Sequence, residues 1–295
     1  MNAKQLQYAI ELADLKNFSK VSEKFNISQP ALSKQIMFLE KDLGVKLFDR
    51  SGVPLKLTPA GEHFIKEAKE LLYKEKQLKS SMEGFASGEK GKLKIGISPF
   101  RSLYLIPPIV EKMRERYPEV DIYLSDTNSE QNRKDVEEGN LDFAIVNLPV
   151  DETVFEYIAI EPDVVALAVP NKMLDLLESS DKDEIDFKDC AKLPFVVVEQ
   201  KKEMRNLFEN LCAKDNLTPR IRMEVVGITT AWAMARAGIG ATILPLQFIN
   251  EEAFDGESIT LFTIKDNTFK RQPVIITRKG QYLSDYAKYA IKLFK

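Results

Sequence analysis

Gln29 and Ser33 lie one helical turn apart, with Lys34 beside them, in a stretch that opens Ser28-Gln-Pro-Ala31. Ser28 is a natural N-cap, and Pro30 suits a first helical turn, where its missing N–H leaves no bond unmade. On the outward side of such a helix, Gln pairs bidentately with adenine, Ser bonds to either base edge, and Lys reaches guanine or phosphate. The helix N-terminus also draws a phosphate. This is chemistry for recognising a duplex, although a solvated helix face carries the same residue types. A second set stands where strands are expected to end: Ser98, Phe100 and Arg101; Thr127 and Asn128; Asn147; Glu199 and Gln200; Ile228 and Thr229. Its hydroxyls, amides and single guanidinium suit capture of a small polar molecule, and Ser98, Ser129 and Thr229 read equally well as N-caps. Ser98 and the helix-start amides favour an anion such as a carboxylate, with Arg101 to neutralise it. Glu199 instead suits an ammonium group, so an amino acid also fits.

Bond-making chemistry has little to work with. A triad or an imidazole metal site would rest on the one histidine, His63. There is no Cys-x-x-Cys and no phosphate loop, and Ala237-Gly-Ile-Gly240 continues Ala-Thr-Ile-Leu-Pro without a third glycine in place. The expectation is a protein that is not an enzyme and needs no cofactor or metal.

The elements that must position these residues begin with a helical head. Asn2-x-x-Gln5 can form a capping box, and Leu6, Ala9, Ile10 and Ala13 make one apolar stripe. Ser19 is placed to cap a second, short helix carrying Val21 and Phe25. After a turn at Asn26-Ile-Ser28, the third helix points Leu32, Ile36, Leu39 and Leu43 inward, and Gly44 ends it. Two helices joined by a tight turn, the second longer and capped, are the helix-turn-helix pattern. Val45-Lys-Leu-Phe-Asp-Arg50 and Leu55-Lys-Leu-Thr58, joined by Ser51-Gly-Val-Pro54, predict a hairpin, or wing. Arg50 and Lys56 on it can grip phosphate, which adds affinity without reading sequence.

Thr58 and Pro59 then start a long helix. Phe64, Ala68, Leu71, Glu75, Leu78, Met82 and Phe85 are spaced 4-3-4-3-4-3, a heptad seam with one charged member. The seam predicts dimerisation; Ile65 and Leu72 widen the stripe toward the alternative, packing on the chain's own core. His63 at the helix start caps or packs.

Beyond residue 92 the period changes. Strands are expected at 93–97, 120–124, 143–146, 164–169, 195–198, 221–225, 241–244 and 274–277, and helices at 103–116, 129–138, 203–213, 229–237 and 284–294. The alternation predicts doubly wound parallel sheets, and roughly 200 residues suffice for two Rossmann-like α/β lobes. Polar breaks at Glu161-Pro-Asp163 and Lys265-Asp-Asn267 serve as two crossovers. The expected domains are then the head, 1–58; the linker helix, 59–88; lobe I, 92–161 with 268–295; and lobe II, 162–267. Such lobes bind ligand in the cleft between them, beyond the carboxyl ends of the strands.

Composition agrees with this division. The 295 residues are 44% apolar and 29% charged, which excludes a collagen-like or wholly disordered chain. Residues 1–60 hold nine Lys/Arg and six Asp/Glu (+3), residues 61–91 six of each, and residues 92–295 27 and 33 (−6). A basic head on an acidic body fits a head that meets a polyanion. No apolar run approaches the ~18–20 residues that span a bilayer, and no signal peptide is legible, so a cytoplasmic protein without a membrane partner is expected. The two cysteines, Cys190 and Cys212, imply no disulfide framework.

The chain resembles the LysR-type transcriptional regulators, most sharply over residues 5–62. The residues that carry the resemblance are Gln5-Leu-x-Tyr8, Phe18-Ser-Lys20, Ile27-Ser-Gln-Pro-Ala-Leu-Ser-Lys-Gln-Ile36, Leu39-Glu40, Leu43-Gly44, Leu47-Phe48-x-Arg50 and Leu57-Thr-Pro-Ala-Gly-Glu62. Gly139-x-Leu-Asp142-x-Ala-Ile and Ala237-Gly-Ile-Gly-Ala-x-x-Leu-Pro245 extend it through the body. Val21-Ser22 departs from the family's pair of alanines but stays small. The resemblance implies a winged helix-turn-helix, a dimerising linker helix and an effector domain like a periplasmic binding protein. It implies homodimers or homotetramers that bind double-stranded promoter DNA, work with RNA polymerase and answer a small-molecule effector. By position, Gln29, Pro30, Ser33 and Lys34 read bases, Arg50 and wing residues such as Lys56 hold the backbone, and Ser98, Thr127 and Thr229 line the effector pocket. An enzyme in the α/β body and a solute-binding transport protein are the competing readings. The first lacks catalytic sets, and the second leaves the basic head unexplained.

Overall fold

The computed structural model describes residues 1–52, 54–87, 90–178, 183–200, 202–249, 258–265 and 272–294, and the backbone alone of 83–87 and 248. The chain divides into two units, Met1–Gly88 and Glu89–Lys295.

The first unit is built on α1 (Ala3–Leu15), α2 (Phe18–Lys24) and α3 (Gln29–Leu43). The capping box forms: Asn2 accepts from the Gln5 amide, and Gln5 accepts from the Asn2 amide. Asn17, not Ser19, caps α2 by accepting from the Lys20 amide. Ser28 caps α3, and Gly44 ends it at φ 71°, a left-handed conformation that costs glycine little. Ala9, Leu12, Val21, Leu32, Ile36, Leu39, Leu47, Phe48 and Ile65 form the core. Leu43 is not part of it. It is 38% exposed, because the last turn of α3 runs past the packed layer.

β1 (Phe48–Asp49) and β2 (Lys56–Leu57) pair antiparallel as the wing. α4 (Pro59–Ser87) follows, and Thr58 receives the Gly61 amide at 3.0 Å. Gly61 is required by a close approach: a Cβ there would sit 2.0 Å from the Leu47 carbonyl oxygen. Ile65, Ala68 and Tyr73 are buried, so the first turns of α4 pack on the head. Ala68 is therefore withdrawn from the expected dimer seam, and Phe64 lies half-buried against the head core. Leu71, Leu78 and Met82 are 51%, 61% and 51% exposed. Phe85, the last seam residue, has its side chain outside the described set.

The second unit holds two α/β layers. In the first sheet β3 (Gly91–Ile97), β4 (Val120–Asp126), β5 (Phe143–Asn147), β6 (Phe155–Ala159) and β13 (Pro273–Arg278) lie in the order β4-β3-β5-β13-β6. α5 (Pro99–Arg116) and α9 (Asp285–Leu293) supply apolar residues to the core on one face, and α6 (Ser129–Glu137) to the core on the other. In the second sheet β7 (Val165–Pro170), β8 (Glu184–Ile185), β11 (Thr242–Pro245) and β12 (Ile259–Ile264) take the order β11-β7-β12-β8. β9 (Phe195–Val198) and β10 (Ile221–Val225) form a parallel pair, and Phe195 bridges to Ala241, the residue just before β11. α7 (Glu203–Lys214) and α8 (Ile228–Arg236) contribute to the two cores of this layer.

The sheets are mixed, not wholly parallel. β13 runs antiparallel to β5 and β6, and β7 antiparallel to β11 and β12. The expected crossover at residues 265–267 falls largely outside the described residues. Among the described residues, no helix is long and apolar enough to cross a membrane.

Candidate DNA-reading face and effector cleft

α3 spends one side entirely on the core and offers the other to solvent. Leu32, Ile36 and Leu39 are fully buried, while Gln29, Pro30 and Lys34 are exposed and Ser33 is half-buried. The Ser28 hydroxyl takes the Ala31 amide at 3.3 Å, and the first turn carries no acidic residue. The positive end of the helix therefore stays open to an anion. Gln29 is partly held in place, its Oε1 accepting from Ser19 Oγ at 3.2 Å. Lys34 Nζ lies 5.6 Å from the centre of the Phe38 ring, within cation–π range.

The wing is tied to α3 through Glu40, which sequence reasoning placed only within a motif. Its side chain is 1% exposed. Oε1 accepts the Leu47 amide at 2.9 Å and the Phe48 amide at 3.2 Å. Oε2 faces Lys46 Nζ at 3.2 Å and Arg50 Nη2 at 3.3 Å. Glu40 follows Ile36 by four residues on the buried stripe, and that position was the available signal. Arg50 is thus shared between Glu40 and the face of Phe18, 5.4 Å away, and its side chain remains 36% exposed. Lys56 is exposed on β2.

In the second unit, topology gathers most of the expected effector residues. β4, β3 and β5 are parallel neighbours, and Ile97 pairs with Asp126, so Ser98, Thr127 and Asn147 emerge along one sheet edge. β9 and β10 are also parallel, with Val198 opposite Val225, so Glu199 emerges beside the chain that leads to Gly227. The two edges meet where the Asn147 side-chain amide donates to the Glu203 carboxylate at the start of α7.

Capping differs in detail from expectation. Ser98 occupies the N-cap of α5 but makes no side-chain capping bond, so its hydroxyl is not used there. Asn128, not Ser129, caps α6. Gly227, not Thr229, stands at the N-cap of α8, leaving Thr229 exposed within the first turn and Ile228 half-buried. The Thr127 hydroxyl donates to Asn132 Oδ1 at 2.8 Å. Glu199 pairs with Lys202 at 3.3 Å, and Gln200 is exposed. Phe100 is buried beside Tyr104, with ring centres 5.8 Å apart.

Arg101 does not serve as the free cation expected of it. It is 2% exposed, its Nη2 bonds Asp163 Oδ2 at 2.5 Å, and the same nitrogen donates to Asn147 Oδ1 at 2.6 Å. A buried guanidinium needs a buried carboxylate, so its charge is compensated within the fold. Asn147 is likewise engaged, between Arg101 and Glu203. Arg133 of α6, absent from the expected set, donates to the carbonyls of Asn147 (2.7 Å) and Pro149 (3.3 Å). A cavity of about 250 Å³ opens beside the crossover at residues 161–163, lined by Arg101, Tyr104, Asp163, Gln247 and Phe294 among others. Arg101 alone joins it to the expected effector set.

Both thiols are free and buried. Burial pushes Cys190 up to about 12 and Cys212 up to about 11, and acidic neighbours reinforce both shifts.

Comparison with known proteins extends these observations. The model "Bacterial regulatory helix-turn-helix protein, lysR family" matches residues 3–62, and "LysR substrate binding domain" matches residues 86–295. The HTH-type transcriptional regulator YwbI of Bacillus subtilis is 30% identical over 293 residues, covering 98% of this chain and 94% of that protein. AlsR of the same organism is 29% identical over 248 residues, covering 83% and 80%. A hydrogen peroxide-inducible genes activator of Pectobacterium carotovorum is 25% identical over 252 residues, covering 85% and 82%. Among solved structures, full-length OxyR from Pseudomonas aeruginosa superposes with a TM-score of 0.66 at 21% identity, covering 100% of this chain and 93% of that one. Full-length CbnR complexed with target DNA gives 0.60 at 20% identity, covering 100% and 99%. At these identities the structures speak for the fold.

Proposed function

The chain belongs to the LysR family of transcriptional regulators, and from that premise we propose how its two units divide the work. The head reads promoter DNA with Gln29, Pro30, Ser33 and Lys34, while Arg50 and Lys56 hold the phosphate backbone. The observation that carries this is the two-sidedness of α3, whose inner face is consumed by the core while polar and basic residues stand on the outer face at its positive end. The exposed Leu71, Leu78 and Met82 on α4 support pairing of two chains, as a dimer or within a tetramer. Two heads then need half-sites a helical turn or more apart, so the operator is a near-palindrome.

The body takes a small carboxylate or amino acid between its two sheet edges. Ser98, with an uncommitted hydroxyl at the start of α5, receives the carboxylate; Thr127 borders the same sheet edge with its hydroxyl proton held by Asn132, and Thr229 faces the ligand from the other layer. Glu199 offers a partner for an ammonium group. Arg101 and Asn147 act as a clamp between the layers rather than as ligands. Closure of the layers on the effector changes the spacing of the two heads and the engagement of RNA polymerase. The chain works in the cytoplasm and catalyses nothing. A peroxide sensor is disfavoured: a thiolate is the reactive species, and both thiols here are held protonated in an apolar core.

Two experiments test this. A gel shift with DNA from upstream of the protein's own gene, extended to genomic fragments, should show salt-sensitive binding that survives nonspecific competitor. Loss of all binding to competitor contradicts sequence reading. Isothermal titration with carboxylates and amino acids should find a ligand; binding of only cations or neutral sugars rules out the proposed pocket chemistry.

A further inference from the structure

Resting on the DNA-reading role of α3, we propose that Met37 and Phe38 form an apolar pad that takes the C5-methyl groups of thymines in the operator. Both are exposed, Met37 by 53% and Phe38 by 45%, on the side of α3 away from the head core. They continue the reading face. Met37 follows Ser33, and Phe38 follows Lys34, each by one helical turn, so each stacks on a residue already assigned to the duplex. The Phe38 ring does not hang free. The Lys34 ammonium sits 5.6 Å from its centre and fixes it beside the charge that meets the DNA. Lys41, exposed in the last turn of the same helix, extends the basic border past the pad.

An apolar pad bordered by lysines selects its occupant. A second copy of the same face would bring Lys34 and Lys41 against their own kind. Phosphates complement those lysines, and the thymine methyl is the one apolar group that the base edges present in the major groove. The pad therefore contributes specificity at thymines where Gln29, Ser33 and Lys34 make no hydrogen bond.

The test needs no change to the protein at first. Duplexes are selected from a random-sequence pool with the full-length chain, and each thymine of the selected operator is replaced in turn by uracil, which lacks only the methyl. Anisotropy titrations should show about fourfold weaker binding at one or two positions per half-site, the effect of one buried methyl. A Met37→Ala, Phe38→Ala double variant should bind the unmodified operator more weakly and be insensitive to uracil at those same positions. Uracil that weakens binding nowhere, or weakens the wild type and the variant equally, overturns the pad. If the variant sediments with a smaller assembly than the wild type, the two side chains serve subunit contact instead, and the proposal also falls. Selection of no duplex at all rejects the DNA-reading role itself, an outcome distinct from an operator that is bound but indifferent to uracil.

Discussion

Replacing Glu40 should loosen the wing without touching any residue that reads DNA. Its Oε1 is the acceptor for two amides, Leu47 and Phe48, in a site where the Glu40 side chain is 1% exposed. A buried donor left without a partner costs about 1–3 kcal/mol, so Glu40→Ala, which strands two, should cost on the order of 3 kcal/mol. The two ion pairs add little, because Lys46 is 73% and Arg50 36% exposed and solvent screens both. At about 1.4 kcal/mol per tenfold, the wing should open on the order of a hundred times more often. Hydrogen exchange of peptides covering residues 44–58, followed in the full-length chain, reads that ratio directly, with peptides of the second unit as the internal reference. Glu40→Gln keeps an acceptor oxygen and should change exchange tenfold or less. Operator affinity should follow exchange, falling strongly in the alanine variant and weakly in the glutamine variant. If Glu40→Ala exchanges like the wild type, or if Gln is as damaging as Ala, the carboxylate is not what fastens the wing to α3.

Leu71→Glu or Leu78→Glu should dissociate the paired chains in sedimentation velocity and weaken operator binding with it; an intact assembly in either variant removes α4 as the pairing surface. Gly61→Ala should lower the melting temperature of the head, because the new Cβ would lie 2.0 Å from the Leu47 carbonyl oxygen; an unchanged melting curve would mean the turn shifts freely. Asp163→Asn should destabilise the second unit by about 3–5 kcal/mol in urea, since it strands the buried Arg101 charge, and Arg101→Met combined with it should recover much of the loss. The thiols set a pH window. They ionise near 9.0 when unfolded but only near 12 and 11 when folded, so the stability they contribute is complete below about pH 9 and fades as pH rises toward 12. A Cys190→Ala, Cys212→Ala variant should lose less stability than the wild type across that window, and the wild type should resist alkylation at pH 8.

The head was legible because its order is local. Asn2-x-x-Gln5, Ser28, Pro30 and Gly44 specify helix ends by their own short-range bonds, and each acts as its chemistry indicates. Ser19 misled because Asn17, two residues earlier, is the stronger cap. The body was legible as alternating elements but not in strand direction. β13 inserts beside β5 after a long excursion through the second sheet, and no local pattern records that pairing. The strands at 155–159, 184–185 and 259–264 were missed. Burial in β6 reads only one residue in five as buried, and β12 follows a stretch without a clear period. The candidate effector set came from the rule that sites lie at strand ends, which places residues near a cleft and says nothing of their bonds. Arg101 met its partner Asp163 62 residues away, a pairing visible only in three dimensions.

The central claim is that the outer face of α3 reads sequence. Anisotropy of the full-length chain on its selected operator, compared with a scrambled duplex at two salt concentrations, tests it through Gln29→Ala and Ser33→Ala. Each should weaken operator binding by about 1–3 kcal/mol, a factor of roughly 5 to 150, and leave scrambled-duplex binding and its salt slope unchanged. Operator affinity unmoved by both substitutions, or operator and scrambled affinities falling together, would contradict it.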